Sequence, residues 1–260
     1  MNWNPDTVAT ELLACEAERR DREPFTDEWT DMSLTTGYAI QDETLARRLR
    51  RGETLTGVKL GLTSRAKQER MHVSQPLVAW LTDAMFLPVG VPVSASKYIH
   101  PRVEPEIVFV MGQDLCGPGV SAASAMAAVA WITSGVEVID SRYKNFRFTA
   151  PDVVADNAST GAYVTGPVFL RPDQIDLAGE SVAVEVGGQI VDSATGAAIL
   201  GHPAEALALA ANQLAERGQS IRAGQIVLTG GITDAYPVPD GAKLAFHFGH
   251  LGSIQIRGGA

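Results

Sequence analysis

Apolar residues at Val8, Leu12 and Cys15 recur at steps of three and four, the period of one helix face, with Leu13 alongside. Asn4-Pro5 ahead of them supplies a capping side chain and a proline suited to the first helical position, so a helix is expected to open there. It leads into a charged stretch at residues 16–23. Ser33 can cap a second helix carrying Tyr38, Ile40, Leu45 and Leu49, which ends near Gly52. Arg47, Arg48, Arg50 and Arg51 complement the dipole at its C-terminus and are expected to be solvated rather than to bind phosphate.

From Thr56 the pattern changes to short β-rich runs punctuated by Gly and Pro. An Ala-rich helix is expected over residues 122–132. Another is expected over 203–217, with proline at its start and Gly218 just beyond its end. Val182 to Val186, Gly187-Gly188 and Gln189 to Val191 read as a hairpin with a two-glycine turn. Further strands are expected at 225–229, 243–248 and 253–257. With no regular βαβ alternation and no fixed repeat, the pattern predicts an α+β fold. Residues 1–55 would form a helical portion packed on a mixed β-roll or barrel of residues 56–260.

At 260 residues and 45% hydrophobic the chain can bury a large core, and its formal charge of −9 argues against a nucleic-acid or membrane-surface role. Cys15 and Cys116 are too few for a disulfide framework. No run approaches the length of a membrane span and no leader pattern opens the chain, so a cytoplasmic protein is expected.

The chemistry concentrates in a few segments. In an extended Arg102 to Val110, Glu104 and Glu106 point to one face, while Val103, Ile107 and Phe109 line the other. Paired carboxylates on an apolar strand resist burial unless a cation sits between them. Glu137, in a second apolar strand, can supply a third oxygen ligand. Three carboxylates without a His or Cys cluster suit Mg2+ or Mn2+. A solvent-facing strand edge is the plainer reading of the pair alone. His100 nearby reads as a structural hydrogen-bonder, with a ligand or acid–base role as the alternative.

Lys59 stands among apolar residues between Gly57 and Gly61, a setting that suits acid–base or enolate-stabilising work better than a snorkelling edge lysine. Asp156-Asn157-Ala158-Ser159 taken alone is an ordinary turn. Leu228-Thr229-Gly230-Gly231 is a strand running into a glycine turn where backbone N–H groups can meet a carboxylate.

Taken in order, residues 57–64, 100–109, 137–148, 154–159 and 228–233 resemble the hydratase/decarboxylase branch of the fumarylacetoacetate hydrolase superfamily. Within it, Asp140 and the Asn145-Phe146 pair resemble the decarboxylase version; hydratases of the branch tend to have glycine and Asn-Trp at these places. The resemblance implies that Glu104, Glu106 and Glu137 hold Mg2+ or Mn2+. It implies that Lys59 and Asp83 lie beside the substrate, and that Leu60, Ser159 and Thr229 help to bind it. The implied reaction is decarboxylation of a dicarboxylic 2-oxo acid, 2-oxo-3-hexenedioate. Homo-oligomers and association with the pathway hydratase are also implied.

Arg142 is the candidate for engaging the distal carboxylate, with a structural partnership to Asp140 as the alternative. Hydration of 2-hydroxypenta-2,4-dienoate is the second reading, and a non-catalytic binding subunit a third. A carbon–carbon hydrolase would need a His–Glu pair at the site, drawn from His72, His100 or His202.

Overall fold

The computed structural model describes residues 3–64, 68–69 and 71–259. Helix α1 (Pro5–Glu18) opens on an Asn4 side chain that accepts the Thr7 N–H, with Pro5 in the first turn. Helix α2 (Leu34–Arg50) is capped by Ser33. Of the basic tail of α2, Arg50 and Arg51 are exposed as the pattern suggested, but Arg47 and Arg48 are largely covered. Arg47 pairs with Asp6 and Glu43, and Arg48 with Glu16 and Glu53, so two of these arginines tie α2 to α1 and to the following loop. An apolar cluster of Val8, Leu12, Phe25 and Ile40 packs the helical portion onto Tyr143 and Ala155.

The remaining chain builds two sheets. Strands β1 (Leu55–Gly61), β2 (Leu77–Thr82), β4 (Arg102–Met111), β5 (Val129–Ile139), β6 (Thr160–Thr165), β9 (Ile226–Leu228) and β10 (Tyr236–Pro237) form the first. Its order is β2-β1-β9-β4-β5-β6, with β10 added to β4. The second runs β3-β12-β11-β7-β8, from β3 (Val93–Ser94), β7 (Ser181–Val186), β8 (Gln189–Thr195), β11 (Lys243–Phe248) and β12 (Ser253–Gly259). Ile107, Phe109, Val136 and Val138 of the first sheet share one core with Val182, Val184, Phe246 and Ile254 of the second. Leu207 and Leu214 of helix α5 (Pro203–Glu216) close that core. Helices and strands are both present in the mixed, half-barrel arrangement expected of an α+β chain.

One predicted element is shorter than expected. Helix α3 spans only Ala122–Ala127, and the residues read as its second half begin β5. Val129, Trp131, Ile132 and Thr133 are β-branched or aromatic, and Ile132 and Thr133 pair with Phe109 and Val108 of β4. Tertiary pairing overrides the helical run of alanines.

Candidate active site

Strand alternation places the carboxylates. Glu104 pairs directly with Glu137 across β4 and β5, while Val103, Val136 and Val138 face the core. Carboxylate oxygens of Glu104, Glu106 and Glu137 all lie within 4.8 Å of one another. Glu106 and Glu137 are fully buried and Glu104 is 9% exposed. Oε2 of Glu106 accepts the Gly230 N–H at 2.6 Å. Oε1 of Glu106 and Oε1 of Glu137 are buried and accept no hydrogen bond among the described residues. Burial first, then the neighbouring carboxylates, pushes Glu106 well above the ordinary carboxylate range. Burial also raises Glu137, against the opposing pull of Lys59. The open oxygens of Glu106 and Glu137, with the Glu104 carboxylate clustered beside them, are a donor set that suits a hard divalent cation.

The glycine turn closes the cluster from above. A Cβ on Gly231 would lie 2.3 Å from Oε2 of Glu104, and one on Gly230 would lie 2.2 Å from Oγ1 of Thr63. Only residues without side chains let this turn sit against the acids. The carboxylate met by the Gly230 N–H is therefore the protein's own Glu106.

Lys59 is 2% exposed, which rules out snorkelling. Its Nζ donates to Oε2 of Glu137 at 3.1 Å and to the Ala158 carbonyl at 2.7 Å. The same Nζ lies 3.0 Å from Oε1 of Glu137, outside hydrogen-bond alignment. The turn that presents Ala158 is unusual, with Asn157, Ala158 and Ser159 at φ of 49°, 49° and 60°. Two clamps hold it. The Asn157 side chain bonds the N–H and the carbonyl of Trp80, each at 2.9 Å. Helix α4 (Ala150–Ala155) leads in through buried Asp156, which pairs with Arg142.

A cavity of about 300 Å³ opens onto this cluster. Lys59, Glu104 and Ser159 stand on its wall with apolar Leu62, Leu77 and Phe148, and Arg102 and Phe146 also line it. Ser159 Oγ donates to Asp156 at 3.3 Å.

The structure thus brings Lys59, Ser159 and the three glutamates together, and sets the other candidates apart. The Leu60 side chain turns into the core because its neighbours Lys59 and Gly61 take the cavity face. Thr229, one residue before Gly230, is fully buried with its hydroxyl given to the Ile107 carbonyl. Asp83 is exposed and caps the turn after β2, accepting the Thr54 and Ala84 N–H groups. Lys59 pairs with Ala79, so Asp83 lies about 13 Å away along the strand.

Arg142 does not face the cavity. Its guanidinium is spent on the Asp156 carboxylate and on the carbonyls of Asp140, Asp156 and Thr160. The Asp140 carboxylate instead accepts the N–H groups of Ile99 and His100. Nor does the His100 ring make a hydrogen bond among the described residues: it packs against Phe146 at 4.8 Å, and its Nε2 is buried without a partner among them. His72 lines a separate cavity, and His202 caps α5. The His–Glu pairs among the described residues, His247–Glu185 and His250–Glu180, belong to the second sheet and its turn. A hydrolytic pair at the site is missing among those residues.

Residues 50–257 match the family model for the fumarylacetoacetate (FAA) hydrolase C-terminal region. The chain belongs to the fumarylacetoacetate hydrolase family. It is 40% identical over 250 residues to a 4-oxalocrotonate decarboxylase of Pseudomonas putida, covering 96% of this chain and 95% of that one. It is 35% identical over 254 residues to a 2-hydroxyhexa-2,4-dienoate hydratase of Comamonas testosteroni, covering 97% and 96%. Among solved structures, the 4-oxalocrotonate decarboxylase of Pseudomonas putida G7 complexed with magnesium and adipate superposes with a TM-score of 0.95. That match has 39% identity and covers 97% of this chain and 96% of the other. This member of the family is an enzyme of the lyase class. None of its helices, among the described residues, is long and apolar enough to cross a membrane.

Proposed function

We propose that the chain decarboxylates 2-oxo-3-hexenedioate to 2-hydroxypenta-2,4-dienoate and CO2. One observation carries the reading: two buried carboxylate oxygens that accept no hydrogen bond among the described residues stand near Lys59, next to a small and largely apolar cavity. The likeness to 4-oxalocrotonate decarboxylases, 40% identical over 96% of this chain and 0.95 in TM-score, supports this. In this reading residues 56–260 are the catalytic unit, with the helical portion 1–55 packed on it.

Glu104, Glu106 and Glu137 would hold Mg2+ or Mn2+, and the bound ion supplies Lewis-acid stabilisation of charge on the 2-oxo oxygen. The substrate is a vinylogous β-keto acid. As the C5–C6 bond breaks, its electrons form C4=C5, the C3=C4 pair moves to C2=C3, and charge arrives on the C2 oxygen. Lys59 is the buried cation placed to hydrogen-bond that oxygen and to deliver the proton that makes the dienol. The Ala158 carbonyl orients its ammonium. Ser159, on the cavity wall, would turn its hydroxyl from Asp156 to the 1-carboxylate. Leu62, Leu77 and Phe148 give the substrate's carbon chain an apolar wall.

The test is turnover of enzymatically generated 2-oxo-3-hexenedioate with Mg2+, before and after EDTA, following CO2 and the dienol. Metal-dependent CO2 release is expected, and Glu106→Gln should abolish it while leaving the fold intact. The hydratase relatives favour one second reading, addition of water to 2-hydroxypenta-2,4-dienoate. Hydration of that acid with no CO2 from the diacid would establish it instead.

A further inference from the structure

With Arg142 consumed inside the protein, the distal carboxylate of a six-carbon diacid needs another cation. Lys59 and Arg102 are the cations among the described residues of the cavity wall. Lys59 is already committed to Glu137 and Ala158. We propose that Arg102 is the specificity residue that reads the second carboxylate. This rests on the reading of the carboxylate trio and Lys59 as the anchor for a 2-oxo acid head.

Arg102 opens β4 two residues before Glu104, so both side chains leave the same face of one strand. Two strand residues span about 6.8 Å, close to the length of a six-carbon diacid's carbon chain. A diacid whose head lies at the trio therefore has its tail at the level of Arg102. The Arg102 side chain is exposed and makes no ion pair or hydrogen bond with the described residues. Its guanidinium carbon lies 4.4 Å from the centroid of the Phe146 ring. Stacking of this kind holds the planar group while leaving its N–H edge open to a carboxylate.

The support is itself fixed. Asn145 and Phe146 adopt φ of 56° and 55°, a left-handed step that carries the Phe146 ring to the cavity, and His100 stacks on that ring. The Asp140 carboxylate pins the backbone of Ile99 and His100 just ahead of Arg102. Asp234 also lines the cavity and makes no ion pair with Arg102. A solvated guanidinium is suited to selecting a diacid because it does so without locking the departing carboxylate into a tight ground-state pair.

The experiment is calorimetric titration of the Mg2+-loaded full chain with 2-oxohexanedioate and with 2-oxohexanoate. Both lack the C3=C4 bond and so bind without reacting. The native chain should bind the diacid about tenfold more tightly, the low end for a charge-assisted contact at an exposed site, and added NaCl should shrink the preference. Arg102→Met should bring the diacid to the affinity of the monoacid, and its monoacid binding reports that the site is folded. A preference retained by Arg102→Met, or no preference in the native chain, overturns the assignment. If neither acid binds the native Mg2+-loaded chain, the 2-oxo acid reading of the trio falls, and this assignment falls with it.

Discussion

Lys59 of β1 donates to Glu137 of β5 at 3.1 Å, across two strands that are not neighbours in the sheet. The contact couples a buried ammonium of the cavity wall to the carboxylate trio. A lysine placed there to manage charge on the substrate should be needed for chemistry more than for metal retention. Lys59→Met is therefore expected to lower kcat by about 10²–10⁴, the range of a lost acid–base group. Its Mg2+ affinity should hold or rise, since a cation beside the trio has been removed. Steady-state kinetics paired with Mg2+ titration separates the two effects. Weaker metal binding in the variant would make Lys59 a support for the trio instead.

The raised position of Glu106 gives the metal-free chain a definite pH dependence. A carboxyl whose folded value exceeds its unfolded value of about 4.5 adds stability that is complete below that pH, and this is lost as pH rises through the folded value. The melting temperature in EDTA should thus fall from mildly acidic to mildly alkaline pH as the crowded acids are forced to ionise together. Saturating Mg2+ should flatten the decline, and Mg2+ affinity should climb with pH because binding displaces the proton. Thermal melts across that window with and without Mg2+ check both signs.

Much of this centre was legible in the sequence because strand alternation is a strict rule. It assigns Glu104 and Glu106 to one face before any coordinates exist, and the apolar context of Glu137 and Lys59 marks them as unusual. The helix caps at Asn4 and Ser33 and the two-glycine hairpin were legible for the same local reason. What failed depended on contacts far apart in the chain. Arg142 looked like a free cation, but the acid that claims it is Asp156, reached only when α4 and the left-handed turn fold back. Asp83 follows directly on β2, but antiparallel pairing puts that end of the strand away from Lys59. Arg102 was visible beside the glutamates, yet its importance follows only from the Phe146 ring folding beneath it.

Gly231 offers a test of the trio that touches no acid. Its missing side chain leaves the space taken by Oε2 of Glu104, which a Cβ would approach to 2.3 Å. Gly231→Ala must displace either the carboxylate or the turn. A stability cost of about 1–3 kcal/mol is expected, as for other overpacked sites. Mg2+ affinity should drop at least about tenfold, since ligand placement is what the methyl group disturbs. Denaturant unfolding and Mg2+ calorimetry on the same protein would show whether the metal loss exceeds general loosening. Unchanged Mg2+ affinity would remove Glu104 from the ligand set.

Arg142 and Asp156 should behave as a structural pair. Asp156 is pushed up to about 6 by burial, even with the opposing guanidinium beside it. Breaking the pair from either side strands a buried polar group, so Arg142→Met and Asp156→Asn should each cost about 3–5 kcal/mol. The double variant should lose less than the sum, because each single change leaves behind the partner that the other would remove. Denaturation midpoints of the four proteins give the coupling directly. The left-handed turn carrying Ala158 and Ser159 hangs on Asp156, so kcat should fall along with stability in the single variants. At a temperature where Arg142→Met stays folded, its preference for 2-oxohexanedioate over 2-oxohexanoate should remain that of the native chain. Loss of that preference would return the distal carboxylate to Arg142 and take it from Arg102.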